Sequence, residues 1–305
     1  MASRGRSGGH HGEHAVVLAA DGVEATVVPG LGARLASLRI AGKERIVDGG
    51  AETLAWGCYP MAPWVGRLES ARVPWQGRPV AVPADHGRHA IHGLVHSSPW
   101  AVTGSAPSAA GFAADLPASW PWAGRVEQQL AVSPSALSVT GVVEAREAMP
   151  AALGWHPWWA FDAADTVELT VPAARVLVTD GELIPTGETA EVAGRATDLR
   201  SGARLGSRRL DHTYVDLQGP IGFAWPDVSA VMEPGPGMVA VHVFVTDQAV
   251  CLEPLTAWPN AHALAPRGVP DTGLAVVTPG SPLRTGWRLR WRLTDTAART
   301  GGPRS

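Results

Sequence analysis

Residues 287–293 read Trp-Arg-Leu-Arg-Trp-Arg-Leu. Four apolar side chains alternate strictly with three arginines, and successive side chains of a β-strand point to opposite faces. The stretch therefore predicts a strand with one buried face and one solvated face. Its predicted buried face consists of Trp287, Leu289, Trp291 and Leu293.

Short β-rich runs recur along the rest of the chain, divided by Gly, Pro, Asp and Asn. Ala15–Ala19 and Glu24–Val28 flank an Asp21-Gly22 pair, which is a strong hairpin signal. Val126–Val132 and Leu137–Val143, separated by Ser-Pro-Ser, form a second predicted hairpin. The remaining predicted strands are Arg34–Ile40, Thr166–Val171, Val239–Val245, Ala249–Glu253 and Leu274–Thr278.

Many short strands without a long helical period predict an all-β fold, a large antiparallel β-sandwich. The 35 glycines and 26 prolines agree, because both residues punctuate turns and weaken helices. No linker divides the 305 residues, and no repeat of fixed period indicates a propeller. We predict one domain over residues 15–296, with disordered tails at 1–14 and 297–305.

Composition excludes several classes of function. A formal charge of −3 disfavours nucleic acid and anionic membranes as partners. No apolar run approaches the roughly 20 residues of a membrane helix, and the N-terminus lacks the apolar segment of a signal peptide. Cys58 and Cys251 have no metal-binding spacing and lie in apolar runs, so we expect buried free thiols and a cytoplasmic protein.

Three segments carry residues suited to chemistry. Residues 88–96 contain His89, His92 and His96, but in an extended chain these spacings point the imidazoles in different directions, so no metal site is expected. His156 lies among tryptophans, where a buried structural histidine is the default interpretation. Glu253 ends an apolar strand, where a carboxylate is costly to bury unless it is paired or functional.

The order of these segments along the chain resembles the aldose 1-epimerase (galactose mutarotase) family over roughly residues 15–293. No single segment is specific, but the whole series in family order is. The segments that carry the resemblance are 29–35 (Pro-Gly-Leu-Gly-Ala-Arg-Leu), 63–68 (Pro-Trp-Val-Gly-Arg-Leu), 90–94 (Ala-Ile-His-Gly-Leu), His156-Pro157, 183–187 (Leu-Ile-Pro-Thr-Gly), 210–214 (Leu-Asp-His-Thr-Tyr), Glu253-Pro254 and 278–280 (Thr-Pro-Gly).

The resemblance implies a galactose mutarotase-like supersandwich and an active site. Glu253 matches the family's catalytic base, and His156 matches its catalytic acid. His92 matches a second histidine near the ring oxygen, which either shares the acid role or holds that oxygen. Arg67 and Asp211 match residues that hydrogen-bond sugar hydroxyls.

Tryptophans near these motifs are further candidates for substrate binding, because sugar faces stack on aromatic rings. The candidates are Trp64, Trp158 and Trp258.

The implied reaction interconverts the α and β anomers of a free aldose. A base removes the anomeric hydroxyl proton and an acid protonates the ring oxygen, so the ring opens and closes again on the other face. A carboxylate and an imidazole have suitable proton affinities, and no metal or organic cofactor is required. The expected partner is a small sugar, and the expected state is a monomer or a homodimer.

Two departures from the family affect substrate identity. Gly66 stands where many members carry Asn, and Trp158-Trp159 is bulky after His156-Pro157. One alternative function is a hexose-6-phosphate 1-epimerase that uses Arg72, Arg78 or Arg88 for the phosphate. A non-catalytic carbohydrate-binding protein and a metal enzyme of cupin type, using His89, His92 and His96, are further alternatives.

Overall fold

A computed structural model of the protein describes residues 14–50, 52–162, 167–206 and 208–294. Almost every regular element is a β-strand. The strands are Val16–Ala20 (β1), Val23–Val28 (β2), Arg34–Ile40 (β3), Lys43–Glu44 (β4), Cys58–Met61 (β5), Arg67–Leu68 (β6), Arg72–Trp75 (β7), Arg78–Ala81 (β8), Ala90–Ile91 (β9), Ala101–Ala106 (β10), Ala109–Asp115 (β11), Gly124–Ser133 (β12), Ala136–Ala145 (β13), Met149–Ala151 (β14), Gly154–Ala160 (β15), Glu168–Thr170 (β16), Ala173–Thr179 (β17), Pro185–Glu191 (β18), Ala203–Arg204 (β19), Asp211–Leu217 (β20), Ile221–Trp225 (β21), Val228–Pro234 (β22), Ala240–Val245 (β23), Ala249–Leu255 (β24), Ala275–Val277 (β25) and Leu283–Leu293 (β26). One short α-helix, Ala261–Leu264 (α1), and two 3₁₀ turns, Glu69–Ala71 and Ala265–Arg267, complete the set among the described residues.

Two large antiparallel sheets dominate the architecture. The first has eleven strands in the order β1-β2-β3-β5-β15-β24-β23-β20-β17-β18, with β4 paired to β3. The second has nine strands in the order β10-β11-β12-β13-β26-β22-β21-β16-β19. Side chains from both sheets form one hydrophobic core, so the described chain is the large antiparallel sandwich that the sequence predicts.

The predicted strands are present, with ends that shift by a few residues. Arg34–Ile40 is β3 as predicted, and the Asp21-Gly22 turn joins β1 to β2. In β26 the predicted alternation holds at Trp287, Leu289 and Trp291 but not at Leu293. Leu293 is 62% exposed, which corrects the prediction that it is buried. It is the last residue of β26 and pairs with Val228, the first residue of β22.

The sequence analysis also made expectations about the cysteines, membrane helices and the two tails, and only some of them concern described residues. Cys58 and Cys251 are free, buried thiols, as predicted. No helix of the described residues is long and apolar enough to cross a membrane. The predicted tails, 1–14 and 297–305, fall outside the described residues except for His14.

Candidate active site

One face of the eleven-stranded sheet carries a row of polar and aromatic side chains. β15 pairs with β24 in a register that places Trp158 opposite Cys251. Two residues before Trp158 in β15, the same register places His156 opposite Glu253. The neighbouring strand pairs continue this row across the sheet. From β5 to β20 it runs Tyr59, His156, Glu253, His242 and Thr213.

A second row lies two residues further along the same strands, on the same face. It consists of Trp158, Cys251, Phe244 and Asp211. All members of both rows except Tyr59 and Cys251 line a cavity of about 420 Å³, a size typical of a small-molecule site. Loops and short strands supply the rest of the wall, including Leu54, Arg67, His92, Leu183 and Pro259.

Glu253 and His156 form a buried hydrogen-bonded pair at the bottom of this cavity. Nε2 of His156 lies 3.1 Å from Oε1 of Glu253, and the two side chains are only 6% and 3% exposed. Burial raises the pKa of the Glu253 carboxyl to about 7, against opposing contributions from His242 and Arg67. Burial lowers the pKa of His156 well below its ordinary value, with a further contribution from His242. The pair therefore binds one proton just below neutral pH, and the titrations of the carboxyl and the imidazole are coupled.

Aromatic rings fix the orientation of His156. Its imidazole stacks on Tyr59 at 5.0 Å between ring centroids and on Trp158 at 5.4 Å. His92 meets it edge-on at 4.9 Å. These three contacts restrain the imidazole ring.

His92 reaches the cavity through an unusual local backbone. Its φ is +59° and that of Gly93 is +77°. A Cβ at Gly93 would lie 2.1 Å from the carbonyl oxygen of Ala62, so only glycine fits this position. The backbone N–H of His92 donates to the carbonyl oxygen of Gly66 at 2.9 Å, which ties His92 to the β6 segment. Burial and the neighbouring His156 and His96 lower the pKa of His92 well below its ordinary value.

Gly66 has a structural reason to differ from the family's asparagine. Its φ is +58°, and a Cβ at this position would lie 2.6 Å from Cβ of Pro259. Pro259 therefore occupies the space that a side chain at position 66 would need, and both residues line the cavity.

Arg67 and Asp211, which the resemblance assigns to sugar hydroxyls, also lie at the cavity. Arg67 follows Gly66 in β6, and its positive charge lowers the pKa of Asp211 and opposes protonation of His92. Asp211 begins β20 and accepts a hydrogen bond from His242, which is the largest cause of its lowered pKa. The structure thus brings Glu253, His156, His92, Arg67 and Asp211 together around one cavity.

The three candidate tryptophans have different positions. Trp158 lines the cavity and packs edge-on against Phe244 at 5.9 Å. Trp64 is 1% exposed and packs against Trp120 in the main core. Trp258 is buried in a smaller apolar cluster. Neither Trp64 nor Trp258 belongs to the cavity wall, because proximity to a motif in sequence does not determine which face of the backbone a side chain occupies.

His242 is a buried titratable residue of the cavity that the sequence analysis did not identify. Its Nε2 lies 3.2 Å from Oδ1 of Asp211, and its Nδ1 lies 2.9 Å from Oγ1 of Thr213. Burial opposes its protonation, yet the carboxylates of Glu253 and Asp211 raise its pKa above the ordinary value. The sequence held one signal for His242. It lies between Val241 and Val243 in a predicted strand, and this alternation places its side chain on the face opposite to the core.

The three histidines of residues 88–96 do not converge. His89 faces Glu182 at 3.3 Å and accepts from the backbone N–H of Ser70, whereas the His96 ring packs near Tyr59. Within the described ranges, the set of three donor side chains that does converge is His92, His156 and Glu253, with donor atoms within 4.8 Å of one another. In that set Nε2 of His156 already bonds Glu253, an arrangement suited to proton transfer.

Two other depressions lack an equivalent set of groups. One lies over β10–β13 and is lined by small, uncharged and mainly polar or alanine residues without an acid or a base. The other lies near Asp227, whose carboxylate is already paired with Arg45 at 3.0 Å and Lys43 at 2.7 Å. Neither is lined by a buried carboxylate–imidazole pair like that of the larger cavity.

The fold and the cavity define a β-sandwich protein with a buried carboxylate–imidazole pair open to a small polar ligand. The chain belongs to the aldose 1-epimerase family, whose model matches residues 14–267.

Individual relatives agree with this family at low sequence identity. The uncharacterised Escherichia coli K12 protein YphB is 23% identical over 220 residues, which cover 67% of this chain and 74% of YphB. A Caenorhabditis elegans GalM/aldose epimerase homologue superposes with a TM-score of 0.79 at 17% identity, over 92% of this chain and 99% of that one. A galactose 1-epimerase from Lactobacillus acidophilus superposes with a TM-score of 0.77 at 15% identity, over 92% and 95%. The fold is therefore galactose mutarotase-like, and the family is one of isomerases acting on sugars.

Proposed function

We propose that this protein is an aldose 1-epimerase that interconverts the α and β anomers of a free aldose. The observation that carries the proposal is the buried Glu253–His156 pair, with 3.1 Å between Nε2 and Oε1, at the base of a cavity of about 420 Å³. Such a pair supplies both a base and an acid from one shared proton. The buried thiols of Cys58 and Cys251 also support a cytoplasmic location.

In the proposed mechanism the shared proton lies on His156 and Glu253 is ionised when the sugar is bound. Glu253 takes the proton of the anomeric hydroxyl while His156 gives its proton to the ring oxygen, and the C1–O bond of the ring breaks. The aldehyde rotates about C1–C2. As the ring closes, the hydroxyl formed from the ring oxygen attacks C1 and gives its proton back to His156, while Glu253 returns its proton to the new anomeric oxygen. No net proton is consumed, because the pair begins and ends each turnover in the same state.

The other cavity residues are proposed to bind the sugar. His92 faces the edge of His156 and is placed to hold the ring oxygen. Arg67 and Asp211 offer donors and acceptors to adjacent hydroxyls, and Trp158 offers a ring face for stacking.

The charge of the cavity favours a free sugar over a sugar phosphate. Arg67 is the only arginine or lysine among the described residues that line it. Arg88 is paired with Glu182 on the surface, and Arg72 and Arg78 are exposed residues of β7 and β8 outside the cavity wall. A buried phosphate dianion needs more positive charge than one guanidinium already close to Asp211 provides.

Polarimetry of freshly dissolved α-glucose and α-galactose, alone and with the protein, tests this function directly. We expect catalysed equilibration of at least one free aldose, and at least about tenfold lower kcat/KM for its 6-phosphate. Preference for the phosphate would favour the hexose-phosphate alternative. Sugar binding without any acceleration would favour a non-catalytic carbohydrate-binding protein.

The pH dependence should reflect the shared proton. Above a pH of about 7 the pair loses its only proton, so the base remains but the acid is lost. Because the pKa of His156 is lowered, a second proton binds only well below its ordinary range. We therefore expect kcat/KM to be level just below neutrality and to fall about tenfold per pH unit above it, after subtraction of the spontaneous rate. Activity that instead rises through pH 7 would indicate a base acting without this acid.

A further inference from the structure

His242 lies next to Glu253, the proposed base, because of its place in strand β23. In β23, Val241 and Val243 point into the core, and His242 and Phe244 therefore point into the cavity. His242 is the direct cross-strand neighbour of Glu253. Cβ atoms of such neighbours lie about 4.5–5.5 Å apart, so a charge on one side chain acts strongly on the other in a buried site.

Both ring nitrogens of His242 are engaged in a way that suits an imidazolium. The Asp211 carboxylate accepts from Nε2–H at 3.2 Å, so that nitrogen carries a proton. At Nδ1 the partner is the Thr213 hydroxyl at 2.9 Å, which accepts equally well when Nδ1 is protonated. With both nitrogens occupied by protein groups, His242 donates to a sugar only by giving up one of these bonds.

The charged and titratable groups around His242 come from every neighbouring element. Two carboxylates, Asp211 and Glu253, favour its protonation, whereas Arg67 opposes it. Three histidines also interact with it electrostatically, namely His92, His156 and the adjacent His212. The pKa values of His92, His156 and His212 are lowered and that of His242 is raised, so His242 is the histidine of this group best suited to carry a proton beside the two carboxylates.

We propose that His242 is a positioning residue for the reaction. Its imidazolium, held by Asp211 and Thr213, stabilises the ionised form of Glu253. Glu253 lies between His242 and His156 in the row, so the imidazolium favours the Glu253 carboxylate more than it opposes a proton on His156, and the shared proton shifts towards His156. This inference rests on the proposed function, since it assigns to His242 the task of selecting the reactive arrangement of the Glu253–His156 pair. Without a cation at this position, a buried pair favours its neutral form, in which Glu253 is protonated and cannot act as a base.

His242→Gln tests this role, because Gln keeps hydrogen-bonding capacity toward Asp211 and Thr213 but has no charge. Two effects are expected, one on the size of kcat/KM and one on its pH dependence. Below pH 7, kcat/KM should fall about tenfold, since less of the shared proton lies on His156. The alkaline decline should move upward by about one pH unit, since Glu253 holds its proton more tightly. A loss of packing or of a sugar contact would lower activity without moving the decline.

His212→Gln is the matched control. His212 precedes Thr213 in β20, where it pairs with Val243 and faces away from the row that contains Glu253. It lies outside the cavity wall, and we expect its replacement to leave both the rate and the pH profile unchanged. Equal pH profiles for wild type and His242→Gln, with a folded variant, would overturn the proposal.

A measurement on the wild type needs neither turnover nor a stable variant. In 15N-labelled protein at pH 6.5, both ring nitrogens of His242 should show the chemical shifts of a protonated imidazole. A neutral tautomer at this pH would overturn the inference while leaving the proposed function intact. An inactive wild type with a protonated His242 would count against the proposed function alone.

Discussion

Replacement of Glu253 by Gln is expected to lower kcat/KM for anomer interconversion by about 10³-fold. Gln is close to Glu in shape, and its side-chain oxygen still accepts a hydrogen bond from Nε2–H of His156. It cannot take a proton from the anomeric hydroxyl. Polarimetry at sugar concentrations below KM measures the loss directly, and titration calorimetry with the same sugar should show that binding persists.

The same substitution should stabilise the protein at neutral and alkaline pH. Burial raises the pKa of Glu253 from an ordinary value of 4.5 to about 7, so the folded state binds more protons than the unfolded state in this range. The wild-type free energy of unfolding therefore declines as pH rises from about 4.5 to 7, by up to ~3 kcal/mol for this group. The Gln variant lacks that decline. The difference in free energy of unfolding between the variant and the wild type, measured by urea unfolding at about pH 5 and about pH 8, should therefore be larger at the higher pH.

Glu233→Gln provides the control for both effects. Glu233 is a half-exposed residue of β22 on the other sheet, where it pairs with Arg290. Its replacement should change neither activity nor the pH dependence of stability, since surface ion pairs contribute little. Wild-type activity in Glu253→Gln would remove Glu253 from the proposed mechanism.

Replacement of His156 by Gln is expected to lower kcat/KM by about 10²- to 10³-fold and to reverse its pH dependence. The amide N–H of Gln can still donate to Glu253, so the buried carboxylate keeps a partner. The variant has no group to protonate the ring oxygen, and its residual activity depends on ionised Glu253 alone. Activity should therefore rise through the pKa of Glu253, where the wild type declines.

His262→Gln is the control for this experiment. His262 is equally buried, with a pKa lowered to about 4 by burial, but it lies on α1 against Trp120 and outside the cavity wall. Its replacement should affect stability more than the pH profile. If both histidine variants retain the wild-type profile, the acid is not His156, and His92 becomes the next residue to replace.

Much of the candidate site was predicted from the sequence, but only through the resemblance to a family. Glu253 and His156 have no distinctive local pattern, and their assignment depends on the ordered series of family segments. They are roughly a hundred residues apart in the sequence, and it is the pairing of β15 with β24 that brings them together. The structure supplies what that series lacks, namely the hydrogen bond and the burial that raises the pKa of Glu253.

His242 and the tryptophans show where sequence reasoning stopped. The alternation in β23 separates His242 from its valine neighbours, but it does not say which face of the strand meets a cavity. Trp64 lies in a family segment beside Arg67, yet it packs in the core while Arg67 lines the cavity. Trp64 precedes β6, which begins at Arg67, so two residues of one short segment lie in different surroundings and proximity in sequence is a poor guide to shared function.

The sequence by itself determined the fold class, because alternating runs such as residues 287–293 bury a continuous face only when they pair into sheets. It also determined the family, through segments whose order survives low identity. The tertiary structure decided which charges lie close enough to act on one another. Strand register brings Glu253, His156 and His242 into one row, and burial makes their proton affinities interdependent, because a low-dielectric site strengthens every charge interaction within it.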